Sequence, residues 1–148
     1  MRFFYLLQNA IFSLLAKKTV GVRMLLIHED KILLVKHTYQ PDWYTIGGGV
    51  ESGETPRQAM ERELKEEVGI TLTSSLKLFS VYYSKKGKRD DYIIFYIGHG
   101  AGTQEITISP EISEKKWFSI HDLPRDTSPA TRRRIREYLN EIELSDVW

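Results

Sequence analysis

Hydrophobic and polar positions follow one another along the chain in a pattern that predicts five strands and two helices. The strands are expected at residues 20–27, 32–36, 76–84, 92–98 and 117–120. The helices are expected at residues 56–68 and 129–139. A polar turn, 28–31, joins the first two strands, and a polar loop, 85–91, separates the next two. This order of elements suits a mixed sheet covered by helices.

The first helix is well defined, because both of its ends carry recognisable capping residues. Thr55 is a favourable N-cap residue, and Gln58 completes a capping box with it. Gly69 stands where a left-handed residue often ends a helix. The helix therefore begins shortly after a glycine-rich run, Gly47–Gly49.

Three glutamates of this helix occupy unfavourable positions. At about 100° per residue, the core face is expected to hold Ala59, Met60 and Leu64, and the solvent face Gln58, Glu61, Arg62 and Lys65. Glu63, Glu66 and Glu67 are expected on the core side, where partly buried like charges in the last turn destabilise a helix. Repeated violations of this kind are expected at functional sites. Oxygen ligands at this density suit Mg²⁺ or Mn²⁺.

A surface helix that is merely rich in glutamate is the alternative, and the preceding loop argues against it. Its glycines allow backbone amides to approach an anion closely. Glu54 stands at the junction of loop and helix, and Arg62, two turns later, could pair with it and fix the loop.

The run from Gly48 to Ile70 resembles the signature of the Nudix hydrolases. That signature is Gly, five residues, Glu, seven residues, Arg-Glu, an aliphatic residue, any residue, Glu-Glu, any residue, Gly and an aliphatic residue. Every fixed position is filled, by Gly48, Glu54, Arg62, Glu63, Leu64, Glu66, Glu67, Gly69 and Ile70. The flanking pattern extends the resemblance to nearly everything after Thr19. Ile46 departs from the family, which often has proline there, and this affects only the entry to the loop.

The resemblance implies an α/β fold, the family's α/β/α sandwich with a mixed β-sheet between helices, over residues 19–148. It also implies Mg²⁺- or Mn²⁺-dependent hydrolysis of a diphosphate linkage in a nucleoside diphosphate joined to another group, such as a nucleoside triphosphate or a nucleotide sugar. Subfamily marks for ADP-ribose, dinucleoside polyphosphates or coenzyme A compounds are not evident, so the substrate stays open. The alternative is a catalytically silent Nudix-like domain that binds a nucleotide or supports an assembly, although such domains usually lose a glutamate.

By the same resemblance, Glu66 and Glu67 are the expected metal ligands, and Glu63 is a further ligand or a base. Gly47 and Gly48 are expected to make backbone contacts, Gly47 with the metal and Gly48 with the substrate. The expected architectural positions of the motif are Gly48, Glu54, Arg62 and Gly69.

Further site residues are expected outside the motif. The family often adds a carboxylate from a later loop, for which Glu111 is the first candidate and Glu114 the second; a solvated loop acid is the alternative. Arg23 lies in a strand and would meet either a phosphate or a carboxylate. Trp43 and Tyr44 flank the glycine loop and would either stack on a base or belong to the core. The histidines, which show no metal-ligand spacing, are assigned no role: His28, His37, His99 and His121.

Composition narrows the possibilities further. A chain of 148 residues can bury one sizeable core. The net charge of +1 gives no general case for binding nucleic acid, and the small nucleotide-type substrate is what the Nudix resemblance implies. Cysteine is absent, which excludes disulfides and a thiolate nucleophile and is compatible with a cytoplasmic location.

Residues 1–18 are expected to form a separate amphipathic helical segment. The run is too short and too interrupted to span a membrane, and it has no small-residue cleavage site. Three interpretations stay open: packing against its own domain or a partner subunit in a homodimer, attachment to an anionic membrane surface, or targeting. The expected apolar face holds Phe3, Phe4, Leu7, Ala10, Ile11, Leu14 and Leu15, and Arg2, Asn9, Ser13 and Lys17 lie opposite.

Overall fold

The computed structural model describes residues 6–8, 10–11, 18–105, 107 and 109–148. Its strands are β1 (Lys18–His28), β2 (Lys31–His37), β3 (Trp43–Tyr44), β4 (Ile46–Gly49), β5 (Ile70–Thr71), β6 (Lys77–Lys86), β7 (Arg89–His99), β8 (Thr103–Gln104) and β9 (Ile112–Ser119). Its helices are α1 (Pro56–Val68) and α2 (Pro129–Tyr138). Residues 6–8 and 10–11 are also helical.

One mixed sheet organises the fold, with β1 near its centre. On one side β1 pairs in parallel with β7, which in turn pairs with β6. On the other side it pairs antiparallel with β4 and, near its end, with β2. β2 pairs with β3 and β9, while β5 and β8 form a separate ribbon. The β1–β4 pairing places the glycine run directly on a central strand.

Two apolar cores lie on opposite faces of this sheet. Because successive side chains of a strand point to opposite faces, Met24 of β1 joins one core and Leu25 the other. The first core packs the sheet against α1 through Met60, and the second packs it against α2 through Ile135. The predicted α/β/α sandwich with a mixed sheet is therefore confirmed.

The predicted loop at residues 85–91 is wrong. β6 and β7 continue through it and meet in a tight turn at Gly87, whose φ is 62°. The charged side chains that suggested a loop pair across the hairpin instead, as Lys86 Nζ does with Asp91 Oδ2 at 3.3 Å. Opposite charges on neighbouring strands are compatible with a solvated ribbon.

The predicted N-terminal segment lies largely outside the described residues, since residues 1–5, 9 and 12–17 are not among them. The described side chains of Leu6, Leu7 and Ile11 are exposed. Across the described ranges, no helix is long and apolar enough to cross a membrane.

Candidate active site

Helix α1 begins and ends at the predicted residues. The Thr55 side chain accepts a hydrogen bond from Gln58 N at 3.2 Å, and the Gln58 side chain accepts one from Thr55 N at 2.8 Å. Gly69 adopts a left-handed conformation with φ 71° and ends the helix. The capping box and the C-terminal glycine are both confirmed, so the position of every glutamate along α1 follows from local sequence.

The three glutamates are not equally buried, which corrects the expectation for Glu66. Glu67 is 7% exposed and the Glu63 side chain 14%, but the Glu66 side chain is 60% exposed. Glu66 follows Arg62 by one helical turn and pairs with it at 3.2 Å, on the solvent edge of the helix. The buried part of the acidic cluster is therefore Glu63 and Glu67.

Arg62 joins the loop to the helix through a set of hydrogen bonds. Its Nε and Nη2 donate to both carboxylate oxygens of Glu54, at 3.0 and 2.7 Å, which confirms the predicted pairing. Nη2 also donates to Gly49 O at 3.0 Å, and Nη1 donates to Glu63 Oε1 at 2.8 Å. The bidentate contact lowers the pKa of Glu54. Arg62 thus fixes the loop and one buried glutamate at the same time.

Two glycines of β4 bring the buried carboxylates together. Gly47 N donates to Glu67 Oε2 at 3.2 Å. Gly48 packs against the Glu63 carboxylate so closely that a Cβ on Gly48 would overlap it. Since the two glycines are neighbours on one strand, the carboxylates that they contact lie side by side.

This arrangement changes the acidity of Glu63. Burial and, next, the neighbouring charge of Glu67 together raise the pKa of Glu63 to about 7, against the opposing effect of Arg62. An ionised Glu63 is therefore costly here unless a cation lies near it.

The residues that were expected to bind the substrate lie in different surroundings. Arg23 is half-buried beneath the loop, where Nη1 donates to Thr45 O and Gly47 O, both at 3.3 Å. Tyr44 lies on the site face, with its ring 5.5 Å from that of His37. Trp43 is 5% exposed in the core against α2, edge-on to Phe118 at 4.8 Å.

The placement of Trp43 contradicts its expected role as a base-stacking residue. Trp43 and Tyr44 are neighbours on β3, so their side chains point to opposite faces of the sheet. The face of Trp43 is the one covered by α2, and its ring is used there as core.

The structure also distinguishes between the two candidate carboxylates of the later loop, Glu111 and Glu114. A surface cavity of about 170 Å³ is lined by Glu67 together with Ser113, Glu114 and Lys115. Glu111 is exposed, and its carbonyl accepts a hydrogen bond from Thr38 N at 2.9 Å, but its side chain is not part of this lining. Glu114 is thus the later carboxylate that lines the cavity of Glu67, and it lies opposite Lys36 of β2 on a strand, β9, that is longer than predicted.

His37 is a site residue that sequence reasoning missed. It ends β2, is 6% exposed, and places Nε2 3.9 Å from Glu67 Oε1. Its only sequence signal is a polar residue at the end of an apolar strand. Its approach to Glu67 depends on how β2 and α1 pack, which the spacing of residues does not report.

The donor atoms fit a hard divalent cation. Among the described residues no three His, Cys, Asp or Glu side chains are already grouped around a common metal position. Glu63 and Glu66 turn toward Arg62, and Glu67 turns toward Gly47. The side chains nevertheless offer only carboxylate oxygens, which Mg²⁺ and Mn²⁺ prefer, and the high pKa of Glu63 marks a position where a cation would stabilise the ionised form.

The fold and the site together define the class of this protein. It is an α/β/α sandwich in which Arg62 joins the glycine-containing strand β4 to the glutamate-rich helix α1. The model of the NUDIX domain family matches residues 17–139, so the chain belongs to that family and is a Nudix hydrolase.

Relatives and solved structures agree with this assignment. The chain is 32% identical over 123 residues to a Bacillus subtilis protein named "Putative 8-oxo-dGTP diphosphatase", covering 82% of this chain and 80% of that protein. It is 26% identical over 144 residues to an "RNA pyrophosphohydrolase" of Orientia tsutsugamushi, covering 84% and 89%. The structure of a MutT NUDIX hydrolase from Burkholderia pseudomallei superimposes with a TM-score of 0.70 at 26% identity, covering 80% of this chain and 96% of that one.

Proposed function

We propose that the protein is a Mg²⁺- or Mn²⁺-dependent pyrophosphohydrolase that cleaves a diphosphate linkage in a nucleoside diphosphate joined to another group. The observation that carries this proposal is the pair of buried carboxylates, Glu63 and Glu67, held side by side against Gly47 and Gly48. Relatives named as a diphosphatase and a pyrophosphohydrolase support the same type of bond. We infer a cytoplasmic location, with which a sequence free of cysteine is compatible.

Glu63, Glu66 and Glu67, with the backbone of Gly47, are the groups proposed to hold the metal. A bound Mg²⁺ or Mn²⁺ would offset charge on the phosphate oxygens and lower the pKa of a water molecule. The residues of the chain supply the geometry: Arg62 orients Glu63 and Glu66 through Nη1, and the Gly47 amide orients Glu67.

The remaining roles concern the proton and the substrate. Glu114 shares the cavity of Glu67 and is proposed as the additional carboxylate that accepts a proton from the attacking water. Arg23, beneath the loop, is proposed to contact a phosphate, and the Gly48 backbone to approach the phosphate chain. Tyr44, on the site face, is proposed to contact the base.

A catalytically silent domain is the rival function, and the site argues against it. Each signature glutamate is present, and Arg62 contacts three of them, Glu54, Glu63 and Glu66, within hydrogen-bond distance. A silent domain has no need to retain buried like charges, since burying them destabilises the fold.

A panel assay tests the proposal. Nucleoside triphosphates, an oxidised guanine triphosphate, nucleotide sugars and RNA with a 5′-triphosphate are incubated with Mg²⁺ or Mn²⁺, and released phosphate and pyrophosphate are measured. We expect cleavage of at least one compound, and a reduction of at least about 10²-fold in the Glu67→Gln variant. Nucleotide binding without cleavage under either metal would favour the silent domain.

A further inference from the structure

His37 is a buried polar side chain for which the proposed reaction has no role. It lies at the end of β2 against the site, with its ring stacked on Tyr39 at 5.0 Å and an interplanar angle of 28°. The ring of Tyr44 also lies close, tilted by 56° with centroids 5.5 Å apart. These aromatic contacts hold the plane of the imidazole, and within that plane Nε2 is the nitrogen that approaches Glu67.

The surroundings of the two ring nitrogens of His37 assign which of them carries the hydrogen. Nδ1 is buried and has no hydrogen-bond partner in the part of the chain that the structure describes. A buried N–H without an acceptor is costly, so the favoured tautomer leaves Nδ1 as a lone pair and carries hydrogen on Nε2. Nε2 is the nitrogen that faces Glu67 Oε1, at 3.9 Å.

The Glu67 carboxylate accepts a backbone hydrogen bond and lies beside a like charge. Its Oε2 accepts from Gly47 N at 3.2 Å, while its neighbour Glu63 repels it. Arg62, the cation of the site, contacts Glu54, Glu63 and Glu66. Within the described ranges, His37 Nε2 lies 3.9 Å from the other oxygen of Glu67, Oε1.

We propose that His37 is a positioning residue that holds the Glu67 carboxylate for metal binding. The proposal rests on the proposed metal role of Glu67. A separation of 3.9 Å is longer than a hydrogen bond, but the two side chains are only 5% and 8% exposed, and an N–H dipole attracts a carboxylate more strongly in such a buried environment than in water. His37 and Gly47 thus approach the two oxygens of Glu67 from different strands.

Binding of Mn²⁺ to the purified protein tests this role without any substrate. Free Mn²⁺ is measured by electron paramagnetic resonance for the wild type and for His37→Phe, His37→Gln and His37→Asn. Phenylalanine keeps the ring packing and removes the donor. Glutamine places an amide N–H near the position of Nε2, whereas asparagine places one near Nδ1. His28→Phe is the matched control, because His28 contacts an aromatic ring, Trp117, at the far end of β1.

We expect His37→Phe and His37→Asn to weaken Mn²⁺ binding by about 10-fold or more, and His37→Gln to restore most of it. The control should bind like the wild type. If His37→Phe fails to fold, the comparison of the glutamine and asparagine variants decides the question.

Two results would overturn the inference. Wild-type affinity in His37→Phe would show that Glu67 needs no such contact, and equal losses in the glutamine and asparagine variants would show that only the packing of the ring matters. Absence of Mn²⁺ binding by the wild type would instead refute the proposed function, and the inference with it.

Discussion

Glu63 shows most clearly how single residues define this site. Its carboxyl group is largely buried, has Glu67 beside it and is contacted by Arg62, and the balance raises its pKa to about 7. The same group thus destabilises the metal-free protein and is suited to a cation. This combination is typical of a binding position rather than of a structural ion pair.

The pH dependence of the metal-free protein follows from this shift. Because the folded pKa of Glu63, about 7, lies above its ordinary value of 4.5, the folded state binds the proton more tightly. The contribution of Glu63 to stability therefore increases as pH falls from about 7 toward 4.5, and it is lost as pH rises through 7. Glu67→Gln should lower the pKa of Glu63, since it removes a neighbouring like charge.

Carbon-13 NMR of the glutamate carboxyl groups measures that pKa directly. Glu61→Gln is the control, because this exposed residue lies on the solvent face of α1. An unchanged Glu63 titration in the Glu67→Gln variant would show that the two carboxylates do not interact.

Gly48 is expected to be indispensable for the site but not for the fold. A Cβ at Gly48 would overlap the carboxylate of Glu63, which is the flexible end of a side chain and can move away. Gly48→Ala should therefore fold, but reduce turnover by about 10-fold or more, because the displaced group is one of those proposed to hold the metal. A Cβ at Gly49 meets nothing within 4 Å, so Gly49→Ala is the matched control. Equal activity of the two variants would contradict this account.

At the scale of elements, Arg62 is what makes the loop and α1 one unit. Two of its nitrogens donate to Glu54, and it also donates to Gly49 O. Its third nitrogen donates to Glu63 and Glu66. Lysine keeps the charge but not the planar fork that these contacts need.

We predict that Arg62→Lys lowers metal affinity and turnover by about 10-fold, the scale of losing a group that orients a ligand. Amide hydrogen exchange of residues 49–54 should become faster in the variant, since the loop loses its anchor. The exposed Arg136, which pairs with Glu141 on α2, gives the control variant Arg136→Lys. Unchanged exchange in the loop would show that Arg62 does not hold it.

At the scale of elements, the sequence predicts best those features that depend on neighbouring residues. The bounds of α1, its capping box and the Glu54–Arg62 pair all follow from residues within a few turns of one another. Strand register is not local, and two of the errors concern it: the face taken by Trp43 and the extent of β9. The charged residues of β9 are exposed at the edge of the sheet, where no apolar alternation marks a strand.

The approach of His37 to Glu67 was beyond prediction for the same reason. The pairing of β2 with β9 shifts in register between Lys36 and His37, and such an irregularity re-aims the side chain beside it. His37 and Glu67 are distant in sequence and meet because α1 packs on the sheet to which β2 belongs.

At the scale of the whole molecule, we propose that residues 19–148 form the catalytic domain and residues 1–18 a separate segment. The family match begins at residue 17, and β1 begins at Lys18. A chain lacking residues 1–17 should therefore keep its turnover and its melting temperature.

Light scattering and co-sedimentation with anionic vesicles, on the full chain and the shortened chain, distinguish the roles left open for the segment. A dimer or vesicle binding that disappears on shortening would assign it to self-association or to the membrane surface. A fall in melting temperature would show instead that it packs on its own domain, and would contradict the proposed division.

The central claim is that α1 tolerates its buried carboxylates because a divalent cation compensates them. The most direct measurement is a Mn²⁺ titration, followed by electron paramagnetic resonance, of the wild type beside Glu66→Gln and Glu67→Gln. We predict that the wild type binds Mn²⁺, and that both variants fold but bind it more weakly. Equal binding by all three proteins, or none by the wild type, would contradict the claim.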